Sequence, residues 1–254
     1  MSDSRNSKRN LFTPEWPMPD TVMSAITLRF GGVSGSSFGS NNFAVHVGDD
    51  PSSVATNRRN LLTQIGGLKT PLWLDQVHGT TIVDADQSQD GVMADGSYSR
   101  KQDRVCLVMT ADCLPILFCN RRGDQVAAVH AGWKGLSKGI ISRAVSVFGD
   151  PSQVLVYLGP AIGSDAYEVD EHVRTAFLNF ADESNYADLL SQAFRPKKDR
   201  FMLDLCKLAK IQLSQLGVHS IYGGVRCTFS DEKSFFSHRR DGITGRNASM
   251  IWLR

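Results

Sequence analysis

Short apolar runs with the length and pattern of β-strands recur through the chain and constrain its fold more than any other feature. They occupy residues 23–30, 71–79, 80–86, 105–110, 116–119, 125–131, 154–159, 221–228 and 248–253. Such runs, bounded by turn residues, predict strands. Apolar residues at helical spacing predict helices over residues 54–66, 135–149, 170–180 and 203–217. Because strands and helices do not alternate regularly, this order predicts an α+β fold with mixed sheets rather than a doubly wound parallel sheet.

A length of 254 residues suits one continuous domain with a substantial hydrophobic core. We find no repeat, low-complexity tract or long Pro/Gly/Ser linker that would divide the chain. Because the chain starts with the polar sequence MSDSRNSKRN, we expect residues 1–22 to form a flexible segment and residues 23–254 to form a single domain. The basic run at residues 195–200 predicts a solvated face.

The charges of the chain are nearly balanced, with 28 Lys and Arg against 26 Asp and Glu. This balance disfavours nucleic acid or a membrane surface as the main partner, and we expect a monomer or a weak homo-oligomer. The first residues lack the apolar core of a signal peptide, and no apolar run reaches membrane-spanning length. The five cysteines lack the spacing of a disulfide scaffold. We therefore expect a cytoplasmic protein with reduced thiols.

Polar residues interrupt the apolar pattern of residues 110–133 at Asp112, Cys113 and His130. The two apolar runs in this stretch flank the turn-rich sequence NRRGD and predict a β-hairpin. Cys113 and His130 then lie at the same end of the hairpin, where facing Cβ atoms are about 5 Å apart and diagonal ones about 7–8 Å apart. The following sequence HAGWKG leads into a helix whose N-terminal amides can bind an anion. This end of the hairpin is therefore a candidate functional site.

The register of the hairpin determines which residue faces His130. If Cys119 pairs with Gln125, His130 pairs with Leu114. A register shifted by one residue pairs His130 with Pro115 instead. Both registers keep the thiol and the imidazole at the same end of the hairpin.

A thiol beside an imidazole supports two different chemistries. Cys113 can act as a nucleophile with His130 as its base, as in thiol hydrolases. The same pair can bind zinc, and one further ligand would leave a tetrahedral position open, as in catalytic zinc sites. His78, in the run WLDQVHGTT, is the candidate third ligand. The phosphate-loop and dinucleotide fingerprints do not occur, which disfavours the familiar nucleotide cofactors.

Several multi-residue motifs follow one another along the chain. They are DQVHG (75–79), ADG (94–96), TADCLPILF (110–118), VHAGWKG (129–135), LGPAIG (158–163) and the block CTFSDEKSFFSHRRDGITGRNASMIWL (227–253). Together these motifs resemble those of the YfiH, or laccase-domain, family. Residues 30–59 fit the N-terminal part of the family as well. The resemblance thus extends over most of the chain.

This resemblance implies a fold similar to the catalytic domain of cytotoxic necrotizing factor toxins, with sheets packed between helices. It implies a zinc site formed by His78, Cys113 and His130. The implied activities are phosphorolysis of purine nucleosides, including adenosine, inosine and methylthioadenosine, and deamination of adenosine. Purine nucleosides and phosphate are therefore the implied partners. An older description of the family is multicopper polyphenol oxidase, and some bacterial members are named peptidoglycan editing factors.

The implied metal chemistry can be compared with the residues present. A laccase-type copper cluster implies many histidines, typically in His-x-His pairs, whereas this chain has 6 histidines and no such pair. Copper can still displace zinc in vitro and produce adventitious oxidase activity, as the Irving–Williams order predicts. Deamination suits a zinc site, but the H-x-E and P-C-x-x-C signature is absent. Asp112 is then the candidate proton carrier, and its alternative role is to cap backbone amides.

Phosphorolysis needs further groups that hold phosphate and the purine nucleoside. Arg239, Arg240 and Arg246 are candidates to clamp an oxyanion, and their alternative role is to pair with neighbouring carboxylates. Asn42 and Gln76 carry amides that can read a purine or ribose edge. We interpret these residues as candidate substrate-binding positions.

We therefore predict a zinc-dependent purine nucleoside phosphorylase with adenosine deaminase activity, in which His78, Cys113, His130 and Asp112 are catalytic. One alternative is a thiol hydrolase or amidase that acts on peptidoglycan precursors. Two others are a copper-dependent polyphenol oxidase and a non-catalytic editing or binding protein.

Overall fold

The structure is a computed structural model that describes residues 10–67, 69–181 and 184–254. The strands of the described residues are β1 Leu11–Phe12, β2 Val22–Thr27, β3 Thr70–Leu72, β4 Ile82–Asp84, β5 Gly96–Ser99, β6 Arg104–Thr110, β7 Leu114–Asn120, β8 Val126–Ala131, β9 Val154–Leu158, β10 Glu168–Val169, β11 Phe194–Lys197, β12 Arg200–Leu203, β13 Ser220–Gly223 and β14 Asn247–Leu253. The α-helices are α1 Pro51–Gln64, α2 Trp133–Leu136, α3 Ile140–Ser146, α4 Glu171–Leu178, α5 Ser184–Ser191, α6 Leu205–Gln215 and α7 His238–Asp241.

These strands form two large sheets and one small sheet. The five-stranded sheet has the order β1-β2-β14-β6-β3, and the six-stranded sheet has the order β13-β9-β7-β8-β5-β4. The strands β10, β12 and β11 form a separate three-stranded sheet in the order β10-β12-β11. Both large sheets mix parallel and antiparallel pairs, since β3 runs parallel to β6 and β4 runs parallel to β5. The predicted α+β fold with mixed sheets is confirmed.

The two large sheets pack face to face because their strands send alternate side chains to opposite faces. On β6, Cys106 and Val108 join the core between the sheets, whereas Leu107 joins the core on the outer face that α1 covers. On β7, Leu117 faces the other large sheet, and Ile116 packs into the core formed with α3 and α6. The layers are therefore helix, sheet, sheet and helix. Strands buried on both faces explain the continuous apolar runs of the sequence.

The register of the β7–β8 hairpin differs from the first of the two predicted registers. Cys119 pairs with Val126 rather than with Gln125, and His130 pairs with Pro115. Gln125 instead closes the turn, because its carbonyl oxygen accepts a hydrogen bond from the Asn120 amide. The register shifted by one residue is thus confirmed, and it keeps His130 at the Cys113 end of the hairpin.

Several predicted elements are shorter than the sequence pattern indicated, among them the strand over residues 221–228, which ends at Gly223. The helix over residues 135–149 is divided because Gly139 adopts a left-handed conformation, with φ 85°. The preceding helix α2 is a four-residue turn, too short to provide the anion-binding helix N-terminus that was expected. The strand over residues 71–79 ends at Leu72, where its pairing with β6 ends. The rest of that run leaves the sheet and forms the loop that carries His78.

Residues 10–22, which the sequence analysis assigned to a flexible segment, pack on the domain. β1 pairs with β2, and the Trp16 ring lies in the core between the sheets, 5.9 Å from the Tyr157 ring. Residues 1–9 lie outside the described residues.

The basic run of residues 195–200 lies on the β11–β12 hairpin. Its side chains are exposed, and three of them pair with carboxylates, Arg195 with Asp165 and both Lys197 and Arg200 with Glu168. The predicted solvated face is confirmed. All five cysteines are free thiols. Among the described residues, no helix combines the length and apolar character needed to cross a membrane.

Asn57 of α1 anchors the loop that precedes this helix. Its side chain is 1% exposed. Nδ2 donates to Ser34 Oγ, Ser40 O and Asn42 O at 3.0, 3.2 and 2.9 Å, and Oδ1 accepts from the Val33 amide at 2.9 Å. A single buried amide therefore satisfies four polar groups of an irregular segment.

Replacing Asn57 with Ala should lower the free energy of unfolding by about 2–4 kcal/mol, because several buried partners lose their hydrogen bonds. Urea denaturation at constant m-value measures the change. The matched control is Asn60→Ala, an exposed asparagine on the same helix, which should change stability by less than about 0.5 kcal/mol. Equal effects of the two substitutions would contradict the anchoring role.

Candidate metal centre

Three side chains from separate segments converge at the end of the β7–β8 hairpin. His78 lies in the loop between β3 and β4, Cys113 directly precedes β7, and His130 lies on β8. Their ligand atoms all lie within 4.8 Å of one another, and Cys113 Sγ is 3.9 Å from His78 Nε2. The structure thus brings together the three residues that the sequence analysis selected as metal ligands.

The thiol and the buried imidazole of this cluster stabilise each other's charged form. Burial raises the pKa of Cys113, but the charge of His130 and hydrogen bonds to His130 and His78 outweigh it and lower the pKa to about 6. Burial lowers the pKa of His130, but the charge of Cys113 and the hydrogen bond to Asp95 outweigh it and raise the pKa to about 9. Cys113 is therefore held as the thiolate, the form of cysteine that binds metal ions.

This donor set fits a zinc ion. Zn²⁺ binds imidazole nitrogen and thiolate sulfur at about 2.0–2.3 Å, so tetrahedral ligand atoms are about 3.5 Å apart. The distance of 3.9 Å between Cys113 Sγ and His78 Nε2 is close to this value. His78 is exposed and Cys113 is half-buried, whereas His130 is buried, so the cluster is open to solvent on one side. Three protein ligands with one open position are the pattern of catalytic zinc sites.

Asp95 positions two of the three ligands. Its fully buried carboxylate accepts hydrogen bonds from the amides of His78 and Gly79 at 2.9 and 2.6 Å, and it lies 2.8 Å from His130 Nδ1. Burial raises the pKa of Asp95, but these hydrogen bonds outweigh it and keep the group ionised. A carboxylate bound to the outer nitrogen of a histidine ligand fixes the orientation of the ring. Asp95 was not among the predicted site residues, and the one indication of it in the sequence is its position in the motif ADG.

Two residues of the centre adopt left-handed backbone conformations. His78 has φ 59° and Asp112 has φ 91°. Such conformations cost free energy in non-glycine residues and persist only when the surrounding contacts hold them. At His78, the hydrogen bond from its amide to Asp95 provides that contact.

Asp112 does not have the position expected of a proton carrier. Its carboxylate accepts hydrogen bonds from Thr228 Oγ1 at 2.7 Å and from the Arg239 amide at 2.6 Å. The residue is buried and does not line the cavity beside the metal ligands. The alternative role, in which Asp112 caps a backbone amide, fits the structure. Asp112 therefore joins the segment before Cys113 to the start of α7.

A cavity of about 240 Å³ lies beside the cluster. Its wall is formed by the three candidate ligands together with His46, Gln76, Met109, Thr110, Ala111, His238 and Arg246. Three nitrogen-bearing side chains, His46, His238 and Arg246, thus share the cavity with the Cys113 thiolate. Of these three, only Arg246 was a predicted candidate, because His46 and His238 are lone histidines without a spacing that indicates a site.

Arg246 is the principal cation of the cavity wall. Its Nη1 donates to Thr244 O and Gly245 O at 2.9 and 3.0 Å. Within the described part of the chain, its other guanidinium nitrogens have no hydrogen-bond acceptor. Burial lowers the pKa of Arg246, whereas the charges of Cys113 and Asp112 raise it, and arginine remains charged. Donors are therefore available for an anion in the cavity.

The amides predicted to bind substrate instead stabilise the chain. Asn42 is fully buried, and its Oδ1 accepts hydrogen bonds from the amides of Ala44 and Arg246. Gln76 lines the cavity, but its amide exchanges two hydrogen bonds with the backbone of Met109, at 2.9 and 2.7 Å. Both amides position the cavity wall, and their polar atoms are engaged in doing so.

The two adjacent arginines also bind the protein itself. Arg240 donates to the carbonyl oxygens of Thr228, Phe229 and Phe235 and pairs with Asp241. It does not line the cavity, and its contacts are those of the alternative structural role rather than of an oxyanion clamp.

Arg239 is likewise outside the cavity wall. Its Nη1 donates to Glu168 O at 3.0 Å, and its guanidinium lies 5.1 Å from the centre of the Tyr167 ring. Its backbone amide, rather than its side chain, is the contact that reaches Asp112.

The fold and this site define a class of proteins in which two stacked mixed sheets present one His-Cys-His cluster beside a cationic cavity. The chain belongs to the family described as multi-copper polyphenol oxidoreductase laccase, whose profile matches residues 23–254. The resemblance to the YfiH, or laccase-domain, family is thereby confirmed.

Named relatives cover almost the whole chain. It is 44% identical to purine nucleoside phosphorylase YfiH of Escherichia coli K12, over 96% of this chain and 98% of the relative. It is 47% identical to purine nucleoside phosphorylase PA4543 of Pseudomonas aeruginosa, over 95% and 98%.

Solved structures show the same fold. The crystal structure of Neisseria meningitidis protein NMB0706 matches with a TM-score of 0.91 and 41% identity, over 96% of this chain and 99% of that chain. The crystal structure of YlmD from Geobacillus stearothermophilus matches with a TM-score of 0.88 and 31% identity, over 100% and 98%.

Gly132 allows the three candidate ligands to approach one another. A Cβ atom at this position would lie 3.0 Å from Cys113 Sγ, 3.2 Å from His78 Cδ2 and 3.7 Å from His130 Nε2. The first two contacts are tighter than ordinary van der Waals packing, so a Cβ atom would displace these ligands by a few tenths of an ångström. The glycine of the VHAGWKG motif therefore favours the close approach of the ligands.

Replacing Gly132 with Ala should weaken metal binding by about tenfold or more, as do other substitutions that displace metal ligands. Competition with a chromophoric zinc chelator measures the affinity. The control is Gly35→Ala, because Gly35 has open space around its Cα atom and a negative φ of −113°. Unchanged zinc affinity in a folded Gly132→Ala protein would show that the ligands do not meet as described.

Proposed function

We propose that the protein is a zinc-dependent purine nucleoside phosphorylase that acts on adenosine, inosine and methylthioadenosine. One observation carries the proposal: a single cavity joins the His-Cys-His cluster to Arg246, His46 and His238. The relatives at 44% and 47% identity are named purine nucleoside phosphorylases, which supports this reaction. Purine nucleosides and inorganic phosphate are the proposed partners.

Arg246 is the residue proposed to hold phosphate. A guanidinium binds phosphate oxygens through parallel N–H donors, and partial burial strengthens such a contact. The carboxylates of the centre do not compete for it, because Asp95 and Asp112 are engaged with other groups. Phosphate bound there faces the side of the cavity where the candidate metal ligands lie.

His238 is the residue proposed to exchange a proton with the departing purine. Its Nδ1 lies 2.7 Å from the carbonyl oxygen of Gly242 and therefore donates to it. Nε2 is then the nitrogen that can exchange a proton with a ligand in the cavity. When bound, zinc supplies a Lewis acid that polarises a substrate atom. Asp95 holds the His130 ring in the orientation that this requires.

Adenosine deamination is proposed as a second activity of the same cavity. The open side of the zinc-type donor set suits hydrolytic attack at a purine ring. The proton carrier has to line the cavity, which Asp112 does not. His46 does, and burial together with the charge of Arg246 lowers its pKa from the ordinary value of histidine, which favours the neutral form that can accept a proton.

A thiol hydrolase or amidase acting on peptidoglycan precursors is the second candidate, and one observation favours it. Cys113, His130 and Asp95 form a chain of thiolate, imidazole and carboxylate. The same order of groups activates the nucleophile in thiol hydrolases. Bound zinc and a free Cys113 nucleophile exclude each other, so metal content separates the two candidates.

Copper-dependent oxidation of polyphenols is proposed only as an adventitious activity. Among the residues that the structure describes, His78, Cys113 and His130 are the one group of three donors that could hold a metal ion. A cluster of several copper ions requires more histidine ligands than one such group provides.

The native chain, purified without added metal, should contain about one zinc ion, held by three protein ligands. Cys113→Ala should lose the zinc together with phosphate-dependent release of hypoxanthine from inosine. Plasma mass spectrometry measures the metal, and a coupled xanthine oxidase assay measures hypoxanthine. Conversion of adenosine to inosine without phosphate tests deamination separately.

The control for Cys113→Ala is Cys106→Ala, which removes a thiol from the core between the sheets and should retain zinc. Metal-free native protein whose Cys113 is alkylated readily and is essential for cleaving an amide substrate would overturn the phosphorylase proposal in favour of the thiol hydrolase.

Replacing Arg246 with Ala should raise the KM for phosphate by about 10- to 100-fold, the loss expected for hydrogen bonds to a charged group. Bound zinc should remain unchanged, because Arg246 is not a candidate ligand. Initial rates at varied phosphate concentration measure the effect. Arg195→Ala is the control, since Arg195 is exposed and pairs with Asp165 away from the cavity. An unchanged KM in Arg246→Ala would move the phosphate site elsewhere.

A further inference from the structure

Residues 237–246 carry two of the three nitrogen-bearing side chains of the cavity wall, His238 and Arg246. This segment consists of the four-residue helix α7 with its cap and of the loop that leads into β14. A helix of one turn makes few hydrogen bonds of its own, so contacts with other segments determine its position. Two buried side chains from distant parts of the chain bind the segment, Asp112 near its start and Asn42 at its end.

Asp112 caps α7 although the two are 127 residues apart in the sequence. One carboxylate oxygen accepts from the Arg239 amide at 2.6 Å, and the other accepts from Thr228 Oγ1 at 2.7 Å. Asp112 is 8% exposed and Thr228 is 2% exposed. The first amides of a helix have no acceptor within the helix, so the carboxylate satisfies one of them. It thereby fixes the start of α7, where His238 lies, relative to Cys113, which directly follows Asp112.

Asn42 holds the other end of the segment independently. Its Oδ1 accepts from the Arg246 amide at 2.9 Å, and its own carbonyl oxygen accepts from Asn57 Nδ2 at 2.9 Å. Its hydrogen-bond partners within the described residues differ from those of Asp112. The start and the end of the segment therefore have separate anchors, and a change at the start can move His238 while Arg246 stays in place.

We propose that Asp112 is a positioning residue that acts through His238. It holds this imidazole on the wall of the cavity that contains Cys113, and it neither contacts the substrate nor exchanges a proton with it. The placement of His238 rests on the hydrogen bonds of Asp112. Its consequence for catalysis rests on the proposed function, in which His238 exchanges a proton with the departing purine. Loss of the cap should therefore lower kcat and leave the KM for phosphate nearly unchanged, because Arg246 keeps its own anchor.

Two substitutions of Asp112 separate positioning from proton transfer. Glycine and asparagine both tolerate the left-handed backbone conformation of this residue, which has φ 91°. Asp112→Gly removes the cap. Asp112→Asn retains it, because Oδ1 of the amide can accept from the Arg239 amide and Nδ2 can donate to the hydroxyl of Thr228.

Initial rates of inosine phosphorolysis measure the effect of each substitution. Asp112→Gly should lower kcat by about 10- to 100-fold, the loss expected when a catalytic group is displaced. Asp112→Asn should retain most of the native kcat, whereas a proton carrier would be equally impaired by both substitutions. In a His238→Gln background, Asp112→Gly should lower kcat no further, since two residues that act through one imidazole are not additive.

The ring of His238 reports its own position without any turnover. In protein labelled with ¹³C-histidine, His238→Gln identifies the ring signal of His238 among those of the 6 histidines. This signal should shift in Asp112→Gly and return to its native position in Asp112→Asn. The matched control is Asp204→Gly, which removes the carboxylate that caps α6 through the Lys207 amide at 2.8 Å and should leave the His238 signal unchanged.

Thr228→Val provides a milder second variant in case Asp112→Gly does not fold. It removes only the hydroxyl that orients the carboxylate of Asp112, so the His238 signal should shift by a smaller amount.

A native His238 signal in folded Asp112→Gly and Thr228→Val proteins would overturn the proposal, as would equal losses of kcat in Asp112→Gly and Asp112→Asn. A native chain without phosphorolysis, in which the His238 signal still shifts in Asp112→Gly and is restored in Asp112→Asn, would contradict the proposed function and support the positioning role.

Discussion

The buried carboxylate of Asp95 is the interaction on which the metal centre depends. It bonds the backbone of the loop that carries His78 and also the outer nitrogen of His130. The loop continues from β3 of the five-stranded sheet, and His130 belongs to β8 of the six-stranded sheet. Asp95 thus connects the two sheets at the point where their ligands meet. Because the carboxylate is shielded from water, its hydrogen bonds to these partners are strong. Loss of these hydrogen bonds would destabilise the folded protein.

The site also requires that residues distant in sequence lie at the same end of the two large sheets. The face-to-face packing of these sheets brings the residues together there. β6 and β14 place Met109, Thr110 and Arg246 beside the cavity, and the β7–β8 hairpin places Cys113 and His130 there. Strands buried on both faces cannot slip by one residue without moving their apolar side chains to the wrong core. The rigidity of the core therefore determines the distances between the chemical groups of the cavity.

Residues that support the cavity and residues that face it have different polar environments. Asn42, Asp112 and Arg240 use their polar atoms to hold loops and turns, whereas Arg246, His46 and His238 line the cavity. The same residue types occur in both groups. Only the hydrogen-bond partners of each side chain separate a structural role from a role at the cavity, which is why a list of candidate polar residues from the sequence contained both.

The sequence by itself determined the α+β class, the main strands, and the convergence of Cys113 and His130, because apolar periodicity and a short hairpin are local properties of the chain. His78 was the candidate third ligand from the sequence, and the family motifs supported that choice. Tertiary structure alone decided the hairpin register, the division of the predicted helix at Gly139, the role of Asp95 and the identity of the cavity wall. These depend on contacts between residues far apart in sequence, such as Asp95 with His130 and Asn42 with Arg246, and no local pattern encodes which buried polar group finds which partner.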